Sequence, residues 1–207
     1  MTQYEAHYKV YVKGIHLGHS VHRLTRHRDG HYHYESLTQP RFEFIPYYFH
    51  ETADFNWIKE KIVPKRFFYE YQEGKKHRRG FIRFDAEAKL ISHPIGHAWE
   101  IDMMSKALDK LSYTLALRHD LIQGEKILNY QVVDEKGLQS YQFNILGNET
   151  LNTALGQLDT LKVQYAHPKY KTTFWLAKNL NFLLIKIQQE RQGHIVAKAT
   201  ITEYQLL

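Results

Sequence analysis

The sequence predicts a mainly β protein, an antiparallel, strongly curved sheet or incomplete β-barrel with one main amphipathic helix packed against it. Apolar and polar residues alternate along many short segments, and glycine, asparagine or aspartate separates most of these segments, which is typical of hairpin-connected strands. The chain also contains 15 Tyr and 11 Phe, and aromatic side chains favour half-buried pleated surfaces. Its 207 residues show no repeat or linker, so we expect a single β-rich domain over residues 1–207.

The first three strands are predicted most clearly. From Tyr4 to Val12 apolar and polar residues alternate strictly, as expected for a strand with one buried face. A second strand is expected over 15–26 and a third over 31–38. They join at Asp29-Gly30, a pair that accepts the positive φ angles of hairpin turns. These segments predict two consecutive hairpins at the start of the sheet.

Further strands follow at similar spacing. The aromatic run over 42–49 is interrupted by Pro46, which cannot donate a ladder hydrogen bond and indicates an edge or a bulge. Shorter β-like segments occur on both sides of a basic run and again after residue 125. The expected strands cover residues 55–58, 67–71, 80–85, 127–133, 140–146, 157–165, 172–176, 182–188 and 195–204.

One segment, about 102–119, has helical rather than strand periodicity. Asp102 is a suitable N-cap, and the helix is expected to end near Arg118-His119, where positive charge suits the C-terminal dipole. The apolar residues at helical spacing are Met104, Ala107, Leu108, Leu111 and Leu115. This stripe predicts a helix that covers the concave face of the sheet, either as a fixed part of the core or as a movable lid.

Three stretches of the chain resemble a known family. They are Gly14-Ile15-His16-Leu17-Gly18, the residues I-V-P-K-R-F-F-Y at 62–69, and T-F-W-L-A-K-N-L at 173–180. In this order they resemble the bacterial domain of unknown function 3108 family, and the likeness extends over nearly the whole chain. The chain departs from the family at Leu184, where members often have proline.

This resemblance implies an exported protein of a Gram-negative bacterium, with an open, curved sheet similar to that of periplasmic lipoprotein carriers. It implies no activity that can be assigned to named residues. A periplasmic location is expected on this basis. The start of the chain enters a strand at once and lacks the features of a secretory signal, so a cytoplasmic location is the alternative unless a signal has been removed.

Charge and composition exclude several classes of function. Lys and Arg number 28 against 22 Asp and Glu, and they are scattered, so we expect no nucleic-acid partner. The one dense basic run, 75–79, follows Gly74, where a solvated hairpin turn is favoured over a phosphate or anionic-lipid contact. The absence of cysteine excludes disulfides and thiolate chemistry. No apolar stretch is long enough for a membrane span, so an integral membrane protein is not expected.

The 14 histidines raise the hypothesis of a metal site. If Arg26 pairs with His31 in the second hairpin, then His22, His31, His33 and Glu35 share one face of the sheet, and imidazole with carboxylate is a suitable donor set for zinc or copper. A one-residue slip would divide the group between both faces. A solvent-exposed polar face is the favoured alternative, and a protonation-sensitive surface is a third. His93 and His97 lack the spacing of a helical zinc motif, and a loop is expected there.

The large aromatic side chains suggest a second kind of site. An apolar cavity lined by aromatics is a common form of ligand pocket, although aromatics on alternating strands more often belong to an ordinary core. The candidate lining residues are Trp57, Phe68, Trp99, Phe174, Trp175 and Phe182.

The expected function is non-catalytic binding of a lipid or another hydrophobic or amphiphilic small molecule in the cell envelope. No cofactor is expected, and neither a serine nucleophile motif nor a glycine-rich phosphate loop occurs in the sequence. One alternative is a structural or interaction protein that uses an exposed sheet edge. The other is a metal-binding or metal-dependent hydrolytic protein that uses the N-terminal histidines. The sequence does not indicate the oligomeric state.

Overall fold

The computed structural model of the chain describes residues 1–95, 98–103 and 106–207. These residues form fifteen strands and one α-helix. The first eight strands are β1 (Tyr4–Val12), β2 (Ile15–Arg26), β3 (Tyr32–Pro40), β4 (Tyr47–Ile58), β5 (Lys61–Glu73), β6 (Lys76–Asp85), β7 (Leu90–His93) and β8 (Trp99–Asp102). After these come β9 (Ala107–Asp109), helix α1 (Ser112–Ile122), β10 (Leu128–Asp134), β11 (Gly137–Thr153), β12 (Gly156–His167), β13 (Tyr170–Ala177), β14 (Leu183–Arg191) and β15 (His194–Leu206).

All fifteen strands belong to one sheet, and its order follows the chain as a series of hairpins. The order is β8-β7-β6-β5-β4-β3-β2-β1-β15-β14-β13-β12-β11-β10-β9. Every pair is antiparallel except β9 with β10, which is parallel. The first and last strands pair in the middle of the sheet, where Tyr4 lies opposite Leu206. The edges, β8 and β9, come from the middle of the chain.

The sheet curves until its two edges approach each other, but it does not close. Among the described residues, side chains rather than backbone-to-backbone hydrogen bonds connect the two sides of the gap, which we call the seam. The Trp99 indole donates to the Glu135 carbonyl oxygen over 3.3 Å, and Arg78 forms a salt bridge with Glu135 at 3.2 Å. Lys110 Nζ lies 3.7 Å from a Glu51 carboxylate oxygen. The predicted incomplete barrel is confirmed.

The helix begins later than its periodicity predicts. Asp102, the expected N-cap, is the last residue of β8, and the segment Ala107–Asp109 pairs with β10 as a strand. The cap is Asp109, which accepts hydrogen bonds from the backbone N–H groups of Leu111 and Ser112 at 2.9 and 2.8 Å. The helix then continues past His119 to Ile122. Met104 of the predicted stripe lies outside the described residues.

Helix α1 separates the apolar interior into two clusters, because its buried residues face two sides. Leu115, together with Leu111 just before the helix, packs with residues of β1–β6 and with Ile201. Leu117 and Leu121 pack with residues of β10–β13. The helix therefore lies inside the curved sheet and contacts both halves of it, which explains why its apolar residues do not form one stripe.

The hairpin turns lie alternately at two ends of the sheet. At the turn end lie the connections β1–β2, β3–β4, β5–β6, β10–β11, β12–β13 and β14–β15. At the opposite end, the terminal end, lie β2–β3, β4–β5, β6–β7, β11–β12 and β13–β14, together with residues 1–3 and Leu207. Most predicted strands are confirmed with bounds shifted by a few residues. The run 42–49 is an exception, since residues 41–46 form a loop and β4 begins only at Tyr47.

Candidate functional site

A cavity of about 290 Å³ lies at the terminal end, between helix α1 and the inner face of the sheet. Its volume is close to the lower limit of about 300 Å³ that is usual for small-molecule sites. Strands β1, β2, β4 and β15 supply one wall, and the last turns of the helix supply the other. The lining residues are Met1, Thr2, Tyr4, Leu24, Trp57, Glu60, Leu115, Arg118, His119, Ile122, Asn181 and Tyr204.

The lining combines an apolar floor with a charged rim. Leu24 and Leu115 are buried at its base, and Trp57 packs edge-to-face on His119 with ring centroids 4.9 Å apart. Arg118 is held by two contacts: its guanidinium lies 4.8 Å from the centre of the Tyr4 ring, and its Nε donates to the Asn181 carbonyl oxygen over 3.3 Å. The arrangement suits a molecule with an apolar part and a polar group.

The structure places one of the six predicted aromatic residues, Trp57, in this cavity. Phe68 lies on the outer face of β5, where it contacts the His50 ring at 5.8 Å and the Arg79 guanidinium at 5.5 Å. Trp99 lies at the seam and stacks on His93 with ring centroids 5.6 Å apart. His93, expected in a loop, is the last residue of β7 and is buried. His97 lies outside the described residues.

The other three predicted aromatics lie in the second half of the sheet. Phe174 and Phe182 contribute to the apolar cluster beside β10–β13. Trp175 is buried beneath two lysines, with the Nζ atoms of Lys186 and Lys162 at 4.0 and 5.0 Å from the centre of a Trp175 ring. Its indole N–H donates to the Glu149 carboxylate over 2.9 Å. None of the three lines the cavity beneath the helix.

The register of the second hairpin differs by one residue from the predicted pairing. Arg26 lies opposite Tyr32 rather than His31, so His22 pairs with Ser36 and faces the interior. One ring nitrogen of His22 lies 3.2 Å from the Tyr34 hydroxyl and the other 3.1 Å from the Ser36 hydroxyl. Burial lowers the pKa of His22 to about 4, so the ring is neutral at pH 7.

His31 and His33 lie in an open groove on the other side, together with His27. The His27 and His31 rings stack with centroids 4.2 Å apart, and the His33 ring lies 6.0 Å from that of His27. The Asp54 carboxylate accepts a hydrogen bond from His33 Nδ1 at 2.7 Å, which raises the pKa of His33. Asp29, Asp54, Lys65 and Arg66 complete the groove.

Glu35 lies further along β3 and interacts with His50 at 2.9 Å. The four residues of the predicted metal site are thus divided among the interior, the groove and a separate ion pair. Over residues 1–95, 98–103 and 106–207, no group of three or more His, Asp or Glu side chains is placed to hold a metal ion.

A second polar cluster lies inside the seam. The Tyr71 hydroxyl donates to the Glu51 carboxylate, and Lys110 Nζ donates to the Tyr71 oxygen over 3.3 Å. Burial lowers the pKa of Lys110, but the Glu51 and Glu135 carboxylates reverse this effect and leave its pKa raised. Burial likewise opposes ionisation of Glu135, whose pKa is nevertheless lowered by Lys110 and Arg78. The cluster neutralises its own charges, which is typical of a structural contact.

Sequence reasoning missed most of the cavity lining. In the sequence, Arg118 was notable only as a positive charge near the end of a helix. Leu24 and Tyr204 were notable only as members of alternating strands. Their proximity depends on the pairing of β1 with both β2 and β15, which no local pattern encodes. Across the described residues no helix has the length and apolar character needed to span a bilayer.

Comparison with solved structures supports the fold. A β-barrel-like protein of the domain of unknown function DUF1849 from Brucella abortus matches with a TM-score of 0.62 and 11% identity, over 100% of this chain and 98% of that one. A candidate lipoprotein from Parabacteroides distasonis matches with a TM-score of 0.45 and 11% identity, over 99% of this chain and 96% of that one. At this identity the first likeness shows a common barrel-like fold.

The sequence itself was compared with curated proteins and with family models. No curated protein matches the chain. One family model, described as a protein of unknown function (DUF3108), matches residues 3–200. This range includes all three segments from which the resemblance was inferred, and the chain therefore belongs to the DUF3108 family.

Proposed function

We propose that the protein binds a hydrophobic or amphiphilic molecule without changing it chemically, and that the cavity beneath helix α1 is the binding site. The observation that carries the proposal is the combination of volume and lining: about 290 Å³, with apolar Leu24, Leu115 and Trp57 beside charged or polar Arg118, Glu60 and His119. Ligand pockets are mostly apolar with a few polar groups that fix orientation. A location in the cell envelope is part of the proposal and rests on the resemblance to exported proteins.

Arg118 predicts which amphiphiles bind best. Its guanidinium has five N–H donors, and only the Nε–H is used by the Asn181 carbonyl among the hydrogen bonds of the described residues. The remaining donors can pair with a carboxylate or phosphate. We therefore expect a ligand with an anionic group at one end and an apolar chain of modest length.

Titration calorimetry with decanoate and decanol tests the proposal. Replacing Ile122 with Trp narrows the cavity and should weaken binding of both probes. Arg118→Gln should lower the affinity for decanoate by about tenfold, because a hydrogen bond to a charged group is lost. The same change should leave the affinity for decanol unchanged. Phe68→Ala is the matched control, since Phe68 lies on the outer face. The proposal fails if neither probe binds, or if Phe68→Ala weakens binding as much as Ile122→Trp does.

The two alternative functions find less support. The edge strands β8 and β9 have 4 and 3 residues, which is short for pairing with a partner strand, and the side chains of β8 contact the seam. The predicted metal-ligand set is divided between different surfaces, as described above. Binding in the cavity beneath the helix remains the function that the geometry favours.

A further inference from the structure

The turn end of the sheet carries an exposed aromatic loop. In the β3–β4 connection, Phe42 is 49% and Phe44 83% exposed, although aromatic side chains of this size are normally buried. Their rings stack with centroids 5.5 Å apart and an interplanar angle of 10°. The Arg41 guanidinium lies 5.2 Å from the centre of the Phe42 ring. The loop thus presents two large apolar surfaces directly to water beside a positive charge.

Backbone hydrogen bonds hold this loop against the neighbouring turns. The Ile45 N–H donates to the Phe42 carbonyl at 2.9 Å and closes the loop upon itself. The Arg41 N–H donates to the Leu17 carbonyl at 2.8 Å, which connects the loop to β2. The Gly74 N–H donates to the Pro46 carbonyl at 2.8 Å and brings the β5–β6 turn alongside. The aromatic pair therefore projects from a supported base.

The basic run of the sequence lies on this same end. Lys75 lies in the β5–β6 turn beside Pro46 and Lys76 begins β6, and neither takes part in a salt bridge within residues 1–95, 98–103 and 106–207. Other exposed cations lie in or beside the neighbouring turns at this end, which also carries exposed Glu43 and Glu73. These cations are Lys13, Arg41, Lys136, Lys169, Lys171 and Arg191. Exposed Ile15 and Ile195 add apolar surface among them.

We propose that the turn end docks on an anionic lipid surface, with Phe42 and Phe44 inserted among the lipid headgroups and the surrounding lysines and arginines against the phosphates. Apolar side chains that enter the interface and a rim of cations are the two contributions that bind peripheral proteins to anionic bilayers. Duplex DNA would use the cations but leave the stacked phenylalanines exposed to water, because its bases are already stacked on one another. The terminal end is less suited, because exposed Asp29, Glu60 and Glu87 accompany its cations.

Vesicle co-sedimentation of the full chain tests this surface, with phosphatidylcholine vesicles prepared with and without phosphatidylglycerol. Wild-type protein should partition strongly only to the anionic vesicles, and high salt should reduce this binding because it screens the phosphate contacts. Lys75→Gln with Lys76→Gln should reduce partitioning about fivefold for each lysine. Phe42→Ser with Phe44→Ser should reduce it by about tenfold or more.

Two control variants match these changes elsewhere in the protein. Lys59→Gln with Lys61→Gln removes the same charge at the terminal end, and Ile127→Ser removes an apolar side chain that is 79% exposed outside the turn end. Both should bind vesicles as wild type does, and near-ultraviolet circular dichroism checks that every variant is folded. Equal binding to neutral and anionic vesicles, or equal losses in the controls, would overturn the proposal. So would retention on random-sequence DNA that exceeds vesicle binding and is unaffected by the phenylalanine changes.

Discussion

His22 lies on the inner face of the sheet with both ring nitrogens against hydroxyl groups, those of Tyr34 and Ser36. The Tyr8 ring packs on it with centroids 4.8 Å apart. A protonated imidazole would need two acceptors and would place a charge among aromatic rings, so burial disfavours the charged form. At the scale of the single residue, His22 is a neutral part of the interior, whereas His33 on the other face has an ionised partner in Asp54.

The lowered pKa of His22 predicts a loss of stability in acid. Since the folded pKa is about 4 and that of the unfolded chain about 6.5, the unfolded state takes up the proton first as the pH falls. The stability of His22→Gln should therefore improve relative to wild type between pH 6.5 and pH 4, by up to about 3 kcal/mol. Urea unfolding at a series of pH values measures this difference.

His33→Gln is the matched control for this experiment, because its sign is opposite. The raised pKa of His33 makes its interaction with Asp54 fully effective below the unfolded pKa and lost as the pH rises through the folded pKa. The His33 variant should thus become less stable relative to wild type as the pH falls. If the free energy of unfolding of His22→Gln changes with pH in the same way as that of the wild type, the ring is not held neutral in the folded protein.

At the scale of the element, the start of helix α1 depends on one buried carboxyl group. Asp109 is 0% exposed and accepts hydrogen bonds from two backbone N–H groups and from the Ser112 hydroxyl, the last at 2.7 Å. These bonds favour the carboxylate, but burial outweighs them and raises the pKa of Asp109 to about 6. Asp109 is the last residue of β9, and its carboxyl group caps the helix that begins three residues later, at Ser112.

Substitutions at Asp109 should affect both the helix and the pH dependence of stability. Asp109→Ala should cost about 1–2 kcal/mol, the usual value for a lost N-cap, and Asp109→Asn less, since its amide oxygen still accepts both N–H bonds. Because the folded pKa is raised, the contribution of wild-type Asp109 is fully present below about pH 4 and is lost as the pH rises to 6. The Tm of Asp109→Asn should therefore rise relative to that of the wild type as the pH increases over this range.

Asp85→Asn provides the control with the opposite sign. The Ala88 N–H and the Arg83 guanidinium lower the pKa of Asp85, so its contribution is present at neutral pH and lost in acid. The Asp85 variant should lose stability relative to wild type as the pH rises from acid to neutral. Parallel pH profiles of the two variants would contradict the assignment of Asp109 as a buried cap.

The helix also shows where local sequence patterns are sufficient and where they are not. Both of its true boundaries had local signals: Asp109 with Ser112 is a normal capping arrangement, and Gly124 at φ 79° follows the last turn. The prediction instead placed the start of the helix at Asp102, because apolar residues from Met104 to Leu111 occur at helical spacing. Within that segment, Ala107–Asp109 instead pair with residues 131–133 of β10, and periodicity within the segment carries no information about this contact.

At the scale of the whole molecule, side chains of the seam replace the ladder that would close a barrel. Trp99 connects the edge strand β8 to the β10–β11 turn through its bond to the Glu135 carbonyl, and it stacks on His93 of the neighbouring strand β7. The same side chain was predicted to line a ligand cavity. Its position at the seam indicates a structural role, which can be separated experimentally from the role of the cavity.

Trp99→Ala should lower the free energy of unfolding by about 2 kcal/mol, less than the 3–5 kcal/mol typical of a fully buried Trp, because Trp99 is only half-buried. Trp99→Phe should cost less, since it retains the stack and loses only the hydrogen bond. Neither change should alter the affinity for decanoate under conditions in which the variants are fully folded. Chemical denaturation and calorimetry on the same samples test both statements, and a large loss of decanoate affinity would place Trp99 in the ligand site after all.

Alternation along Tyr4–Val12 and its successors was enough to predict the strands and the curved sheet, because each pattern is contained in a short segment. The cavity required more. It combines Tyr4, Leu24, Trp57, Arg118 and Tyr204 from five separate elements, and their proximity follows from strand register and helix position. The strand register assumed in the metal hypothesis was wrong for the same reason: Arg26 lies opposite Tyr32 and not opposite His31.

The pairing of β1 with β15 has a consequence for the order in which the protein folds. The ribosome makes β1 first, yet one edge of that strand has no partner until β15 has been synthesised. Such distant pairings slow folding, and an unpaired strand edge is prone to aggregation in the meantime. The interior can be completed only after almost the entire chain has been released. A chain of this topology is therefore compatible with transport in an unfolded state and with dependence on a chaperone that covers the open edge of β1.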